Sequence, residues 1–301
     1  MSLRFDTSRG PKLICCPVDL TGANFQPNSK KKAVVIIPAR FASTRLPGKA
    51  LLEIDGKPMI CWVTEHALEA RNVTRVIVAT DDKRIVDAVR FLGCEAVMTR
   101  GDHASGTDRL AEVAETLDDT ELIVNLQGDE PLVSPHTIER AIEGSDESVG
   151  IVTTWEAIET PADVLNPDVV KIVVDSSGRA IYFSRLPVPY PREAVRKHVT
   201  LETALRNEPG LLGQFRKHTG LYVYRKEVLL EFTRWPQSDL EKIESLEQLR
   251  ALERGVKIKA IEAATPSIGV DTREDLERVR ASVQKEHLDS AVERFKSRLQ
   301  E

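Results

Sequence analysis

From Ala33 onward, short apolar runs alternate with stretches of helical periodicity. Ala33–Ile37 (AVVII), Arg75–Ala79 (RVIVA), Glu95–Met98 and Glu121–Asn125 (ELIVN) have strand length and are rich in β-branched residues. Runs with few polar interruptions suit strands buried on both faces. Between them, Pro58–Ala70, Asp82–Leu92 and Gly106–Leu117 carry apolar positions at helical spacing, the first with proline in its opening turn. Strands alternating with helices of roughly 10–15 residues predict βαβ units around a parallel sheet.

The second half is less uniform. It predicts strands over Gly150–Thr154, Val169–Val174, Ala180–Phe183, Gly220–Tyr224 and Lys257–Ile261, with a turn at Asp175–Gly178. Helices are predicted over Lys226–Thr233, Asp239–Arg254 and Thr272–Lys285. Thr272 caps the last one, with Glu274 and Asp275 in its first turn. The three prolines of Leu186–Pro191 exclude a helix or a central strand there. Residues 1–32 have no periodicity and close on Lys30-Lys31-Lys32. They read as a poorly ordered extension, a short capping segment being the alternative. One domain over 33–287 is expected, followed by a charged tail, 288–301, that continues the last helix.

Composition narrows the function class. The chain has 301 residues and a formal charge of −5, a poor general binder of nucleic acid or anionic membrane. An anionic substrate therefore needs a local basic pocket. The four cysteines (Cys15, Cys16, Cys61, Cys94) form no CxxC pair, which disfavours a disulfide framework and fits reduced thiols in the cytosol. No apolar run approaches the ~18 residues of a membrane span. Leu13–Val18 is too short for a signal peptide and is broken by Pro17. A soluble cytoplasmic protein is expected.

Three nucleotide or metal motifs are absent: GxGxxG after the first strand, a complete P-loop around Gly48-Lys49, and HExxH. Instead, the loop after the first strand, Pro38 to Lys49, contains Arg40, Arg45 and Lys49 among small residues. Ligands of open α/β sheets bind beyond the carboxyl ends of strands. Several cations with exposed amides suit a triphosphate. A solvated basic loop is the alternative. Asp129, in Asn125-Leu126-Gln127-Gly128-Asp129-Glu130-Pro131, follows another strand. A carboxylate beside a triphosphate calls for a hard cation such as Mg²⁺ between them, although a GD pair alone fits a turn equally. Asp271, in Gly269-Val270-Asp271-Thr272, is either a second such carboxylate or a first-turn acid. Two strand-end carboxylates and a basic loop are the parts needed for metal-assisted nucleotidyl transfer.

The segments VIIPARFASTRLPGKAL, MTRGDHASGTDRLAEV, VNLQGDEP, YFSR, LEQLRAL and GVDTREDLERVR occur in this order from about Ala33 to Arg280. Together they resemble the 3-deoxy-manno-octulosonate cytidylyltransferase family, the CMP-Kdo synthetases. The related CMP-sialic acid synthetases share the first loop only loosely. The resemblance implies an α/β, Rossmann-like nucleotidyltransferase fold with a mixed, mostly parallel sheet flanked by helices. It also implies a homodimer and the formation of CMP-Kdo and pyrophosphate from CTP and Kdo with Mg²⁺, for lipopolysaccharide synthesis. Arg40 and Lys49 match the phosphate loop, with Ala39 and Arg45 beside them. Arg100, Ser105 and Gln127 match positions near cytosine and ribose, and Asp129 with Asp271 match the metal aspartates. Arg40, Lys49 and Asp129 are the implied catalytic residues. Arg185, His218, Tyr222, Glu247 and Gln248 match the sugar-acid pocket. Arg185 suits the Kdo carboxylate chemically, since a guanidinium offers two parallel hydrogen bonds. The chain departs from the family in the extension before Ala33 and in a longer stretch between Arg185 and His218, with extra charge over Arg192–Asn207; both the local structure and a dimer contact of about 180–225 depend on it. A cytidylyltransferase for another acidic sugar, or a catalytically silent module of the same fold, are the competing readings.

Overall fold

The first long strand, Ala33–Ala39, is buried along its whole length, and its side chains alternate between two separate apolar cores. Val35 and Ile37 belong to one core, Val34 and Ile36 to the other, which is why the run reads as continuously apolar. The computed structural model describes residues 13–14, 31–42 and 46–299. Apart from Leu13–Ile14 and Lys31–Lys32, the extension expected over 1–32 lies outside the described residues, as does Arg45.

Numbered along the chain, the strands of the first half are β1 (Leu13–Ile14), β2 (Ala33–Ala39), β3 (Glu53–Ile54), β4 (Lys57–Pro58), β5 (Val73–Thr80), β6 (Glu95–Met98) and β7 (Leu122–Asn125). β5 and β7 flank β2 in parallel and β6 extends the sheet beyond β5. Helices α1 (Met59–Glu69), α2 (Lys83–Val89) and α4 (Pro135–Glu143) pack their apolar stripes on the Val35–Ile37 face. Helix α3 (Gly106–Ala114) covers the opposite face through Leu110, Val113 and Ala114. The predicted βαβ alternation is present, and the small β3–β4 hairpin is an addition to it.

The second half adds β8 (Ile151–Ala157), α5 (Pro161–Leu165), β9 (Lys171–Val174), β10 (Ala180–Ser184), α6 (Arg192–His198), α7 (Leu201–Asn207) and β11 (Arg216–Arg225). After these come α8 (Lys226–Phe232), α9 (Asp239–Glu244), α10 (Gln248–Glu253), β12 (Ile258–Glu262) and α11 (Arg273–Leu299). β11 inserts antiparallel between β7 and β8, while β12 lies parallel to β8. The resulting order is β1-β6-β5-β2-β7-β11-β8-β12, with the β9–β10 hairpin attached through β11. The sheet is therefore mixed and mostly parallel, as expected. The extra charge of Arg192–Asn207 resides on α6 and α7, the latter opened by a Thr200–Thr203 capping box.

One predicted helix, Asp239–Arg254, is two. Ser245 adopts a left-handed conformation (φ 53°) between α9 and α10. The carbonyls of Glu244 and Ser245 accept the guanidinium of Arg185 there instead of continuing a helix. Arg250 and Glu241, both buried, join the two pieces through hydrogen bonds of 2.8 and 2.7 Å. No helix among the described residues is long and apolar enough to cross a membrane.

Candidate active site

The carboxyl ends of β2 and β7 and the start of α3 enclose a cavity of about 370 Å³. This is the sheet edge where open α/β proteins bind ligands. Ala39 and Arg40 enter it directly from β2. Gly48 then turns the chain at φ 66°, its amide donating to the Phe41 carbonyl at 3.2 Å. That left-handed residue, with the Phe41 ring against it, aims the following short 3-10 turn, Lys49–Leu51, at the cavity.

Lys49 Nζ donates to Asp129 Oδ2 at 2.5 Å and to Asp271 Oδ1 at 3.1 Å. Three residues far apart in sequence thus form one cluster. Its frame is covalently remote but tightly packed: the Val270 amide donates to the Asp129 carbonyl at 2.8 Å. Leu46, Val270 and Leu276 share one apolar cluster with Ile54 and Met59. Gly128 is needed for closeness, since a Cβ there would stand 3.2 Å from the Pro38 carbonyl.

The opposite wall is the start of α3. Ser105 caps it reciprocally with Asp108, and a helix N-terminus favours anionic groups. Thr107 Oγ1 donates to Glu247 Oε2 at 2.7 Å, and burial pushes the Glu247 carboxyl above its ordinary pKa. Gln127 lines the same cavity, its amide donating to Asn125 Oδ1 at 3.3 Å. Arg100 is placed differently: its guanidinium is 69% exposed, beside Asp102 and Glu112, and is not part of the cavity wall.

The sugar-acid candidates divide. His218 and Tyr222 stand on β11 with ring centroids 5.4 Å apart, and His218 meets Phe183 edge-on at 4.9 Å. Desolvation pushes the His218 imidazole down to about 3, so it is neutral, and it shares a 2.9 Å hydrogen bond with Thr153 Oγ1. Tyr222 is raised well above the usual phenol range by burial, then by the nearby Tyr224, Glu247 and Glu130. Gln248 is buried one step into α10. Arg185 lies next to Ser184 of β10, but its guanidinium donates to the carbonyls of Glu244, Pro167 and Ser245. The structure therefore groups His218, Tyr222 and Glu247 and turns Arg185 onto backbone oxygens.

Three residues of this region escaped the sequence reading. His103 and Arg109 both line the cavity, the former paired with Glu112. Glu130 accepts the Gly220 amide at 3.3 Å; burial, then repulsion from Asp129 and Glu156, raises it to about 7 against the opposing Lys217 and Gly220. The available signal for Arg109 was its spacing of four from Val113, on the buried face of α3.

A family described as Cytidylyltransferase matches residues 34–258. A 3-deoxy-manno-octulosonate cytidylyltransferase from Syntrophotalea carbinolica is 50% identical over 250 residues, covering 82% of this chain and 96% of that protein. One from Escherichia coli is 44% identical, covering 86% and 99%. Among solved structures, a CMP:2-keto-3-deoxy-manno-octonic acid synthetase complexed with CTP superposes with a TM-score of 0.75 at 44% identity, covering 85% of this chain and 99% of that one. A 4-diphosphocytidyl-2C-methyl-D-erythritol synthase from Anaerococcus prevotii shares the fold at 15% identity and a TM-score of 0.54, covering 84% and 99%. With near-complete coverage of relatives at such identity, and the matched segments framing the cavity, the chain belongs to the 3-deoxy-manno-octulosonate cytidylyltransferase family.

Proposed function

We propose that this chain transfers CMP from CTP to the anomeric hydroxyl of Kdo, releasing pyrophosphate, as a cytoplasmic step toward lipopolysaccharide. The observation that carries this reading is the Lys49–Asp129–Asp271 cluster at the mouth of a cavity walled by the basic loop and the capped start of α3. The relatives' names supply the nucleotide and the sugar. The anomeric oxygen attacks the α-phosphorus in line, its proton passes to solvent, and the bond to the bridging oxygen of pyrophosphate breaks. Arg40 and Lys49 offset the charge that builds on the departing phosphates.

Asp129 and Asp271 suit Mg²⁺ because their carboxylates already converge on a single cation, the Lys49 ammonium. Mg²⁺ is commonly held by one or two carboxylates with substrate phosphates and water completing its shell. No group of three or more His, Cys, Asp or Glu suited to a metal occurs among the described residues, so the phosphates are the remaining ligands in this reading. When bound, the ion supplies the charge neutralisation that lets a sugar acid approach a triphosphate. Arg185 takes the Kdo carboxylate by exchanging backbone contacts for it, while the neutral His218 and Tyr222 meet sugar hydroxyls and Glu247 with Gln248 close the pocket.

Pyrophosphate release with CTP and each of Kdo, an amino-modified Kdo and a sialic acid tests the assignment. Release with Kdo above the others supports it, and preference for another acid moves the substrate. No release with any sugar leaves a silent binding module and refutes it. A homodimer belongs to the same proposal, because Ile181, Leu186, Tyr190 and Val199 are all more than half exposed. Light scattering should give twice the 33.6 kDa chain mass, and Leu186→Asp with Tyr190→Asp should halve it.

A further inference from the structure

Asp81, immediately after β5, stands between the two walls of the cavity. Its Oδ1 accepts the Phe41 amide at 3.3 Å and its Oδ2 accepts Arg109 Nη2 at 2.8 Å. Phe41 is the hinge of the basic loop. Arg40 precedes it, its carbonyl takes the Gly48 amide that leads into Lys49, and the Arg84 guanidinium lies 3.5 Å over its ring. Arg109 belongs to the other wall: its side chain is 4% exposed, it lines the cavity, and Nη1 donates to Thr99 Oγ1 at 2.5 Å. A guanidinium so deeply buried needs a counter-charge, and Asp81 is the carboxylate that meets it.

We propose that Asp81 is a positioning residue for the nucleotide: one side chain fixes the phosphate loop through Phe41 and the facing wall through Arg109, so the gap between them is preset to the triphosphate. This rests on reading the cavity as the CTP site. A charge here touches no substrate, yet it decides where Arg40 and Lys49 stand. An amide in its place accepts one hydrogen bond but turns an NH₂ group toward the other donor, so one wall is released.

The test measures CTP binding at equilibrium and steady-state kinetics for wild type, Asp81→Asn, Arg109→Gln and the double variant Asp81→Asn/Arg109→Gln. The double variant is compared with Arg109→Gln because Arg109 itself lines the cavity. The double variant buries no guanidinium without its counter-charge, so it keeps the test available where the single variant does not fold. The expected result is a CTP Kd and KM raised about 10- to 100-fold, the loss of one charge-assisted contact. KM for Kdo should be unchanged and kcat should stay within about threefold. A folded double variant that binds CTP as tightly as Arg109→Gln, or equal rises for both substrates, overturns the positioning role. A wild type that binds no CTP overturns the site reading itself, and this inference with it.

Discussion

Asp129→Asn probes the acidic half of the site with little disturbance of its frame. The amide is isosteric with the carboxylate, and the Asp129 carbonyl that accepts the Val270 amide at 2.8 Å is untouched. Lys49 keeps Asp271 at 3.1 Å, so its ammonium retains a counter-ion. The Lys49 and Asp129 side chains are 16% and 30% exposed, and partly solvated pairs of this kind contribute only about 0–1 kcal/mol. Stability should therefore drop by no more than ~1 kcal/mol. Turnover should suffer far more: losing a fixed electrostatic group at the reacting centre costs about 2.7–4 kcal/mol of transition-state stabilisation, or roughly 10²–10³ in kcat. Pyrophosphate release at saturating CTP, Kdo and Mg²⁺, with thermal melting alongside, separates the two effects. A variant that melts normally and turns over within about tenfold of wild type refutes the catalytic placement. So does an activity loss that only follows the unfolded fraction.

Gly48→Ala should lower stability by about 1–2 kcal/mol, because an L residue at φ 66° is strained and its Cβ meets the Phe41 ring at 3.2 Å; a rise in KM for CTP should accompany the lower melting temperature. Arg185→Ala should raise KM for Kdo by roughly 10- to 150-fold with CTP affinity unchanged; equal effects on both substrates would assign Arg185 to the backbone alone. Glu139 gives a pH signature. Hydrogen bonds from Arg71 hold its carboxyl at about 2, below the ordinary 4.5, so its stabilising effect is full above pH 4.5 and disappears as pH falls through 2. The stability gap between wild type and Glu139→Gln should close over that window, and a gap level down to pH 2 contradicts the pairing.

The first half was legible because its strands are buried on both faces, so composition alone marks β2, β5 and β7. β11 was seen only over Gly220–Tyr224. Its start carries Arg216, Lys217 and His218, and Lys217 is accommodated by a 2.9 Å pair with Glu156 on β8, a partner no local pattern reveals. The break at Ser245 is equally tertiary, since helical periodicity runs through it and Arg185, just past β10, meets its carbonyls. Helix α4 went unassigned although Ser134 caps it and Pro135 opens it, a start signal that was available. In the site, Lys49 and Asp129 were legible because the loops after β2 and β7 lie at one sheet edge. Asp271 was expected at a strand end but lies in irregular chain between β12 and α11, held there by the Val270 amide on the Asp129 carbonyl. Asp81 and Arg109 were not, because their pairing depends on which loops face each other across the edge.

The cavity's own charge explains why a divalent cation belongs in the proposal. Its lining includes three basic side chains, Arg40, Lys49 and Arg109, and three carboxyl groups, Asp129, Asp271 and Glu247. Two of the carboxylates already occupy Lys49, and Asp81 occupies Arg109. The basic groups are thus largely spoken for before any nucleotide arrives, and the whole chain adds a formal charge of −5. At a physiological screening length of about 8 Å that distant charge matters little, but the local balance does. A triphosphate entering such a site meets Arg40, but it meets the Lys49 ammonium only if something draws Lys49 from its carboxylates. A divalent ion held by Asp129 and Asp271, as proposed, would offset their charge and leave the Lys49 ammonium for the phosphates. On this account the acidic pair and the basic loop are interdependent, and neither binds CTP well without the exchange.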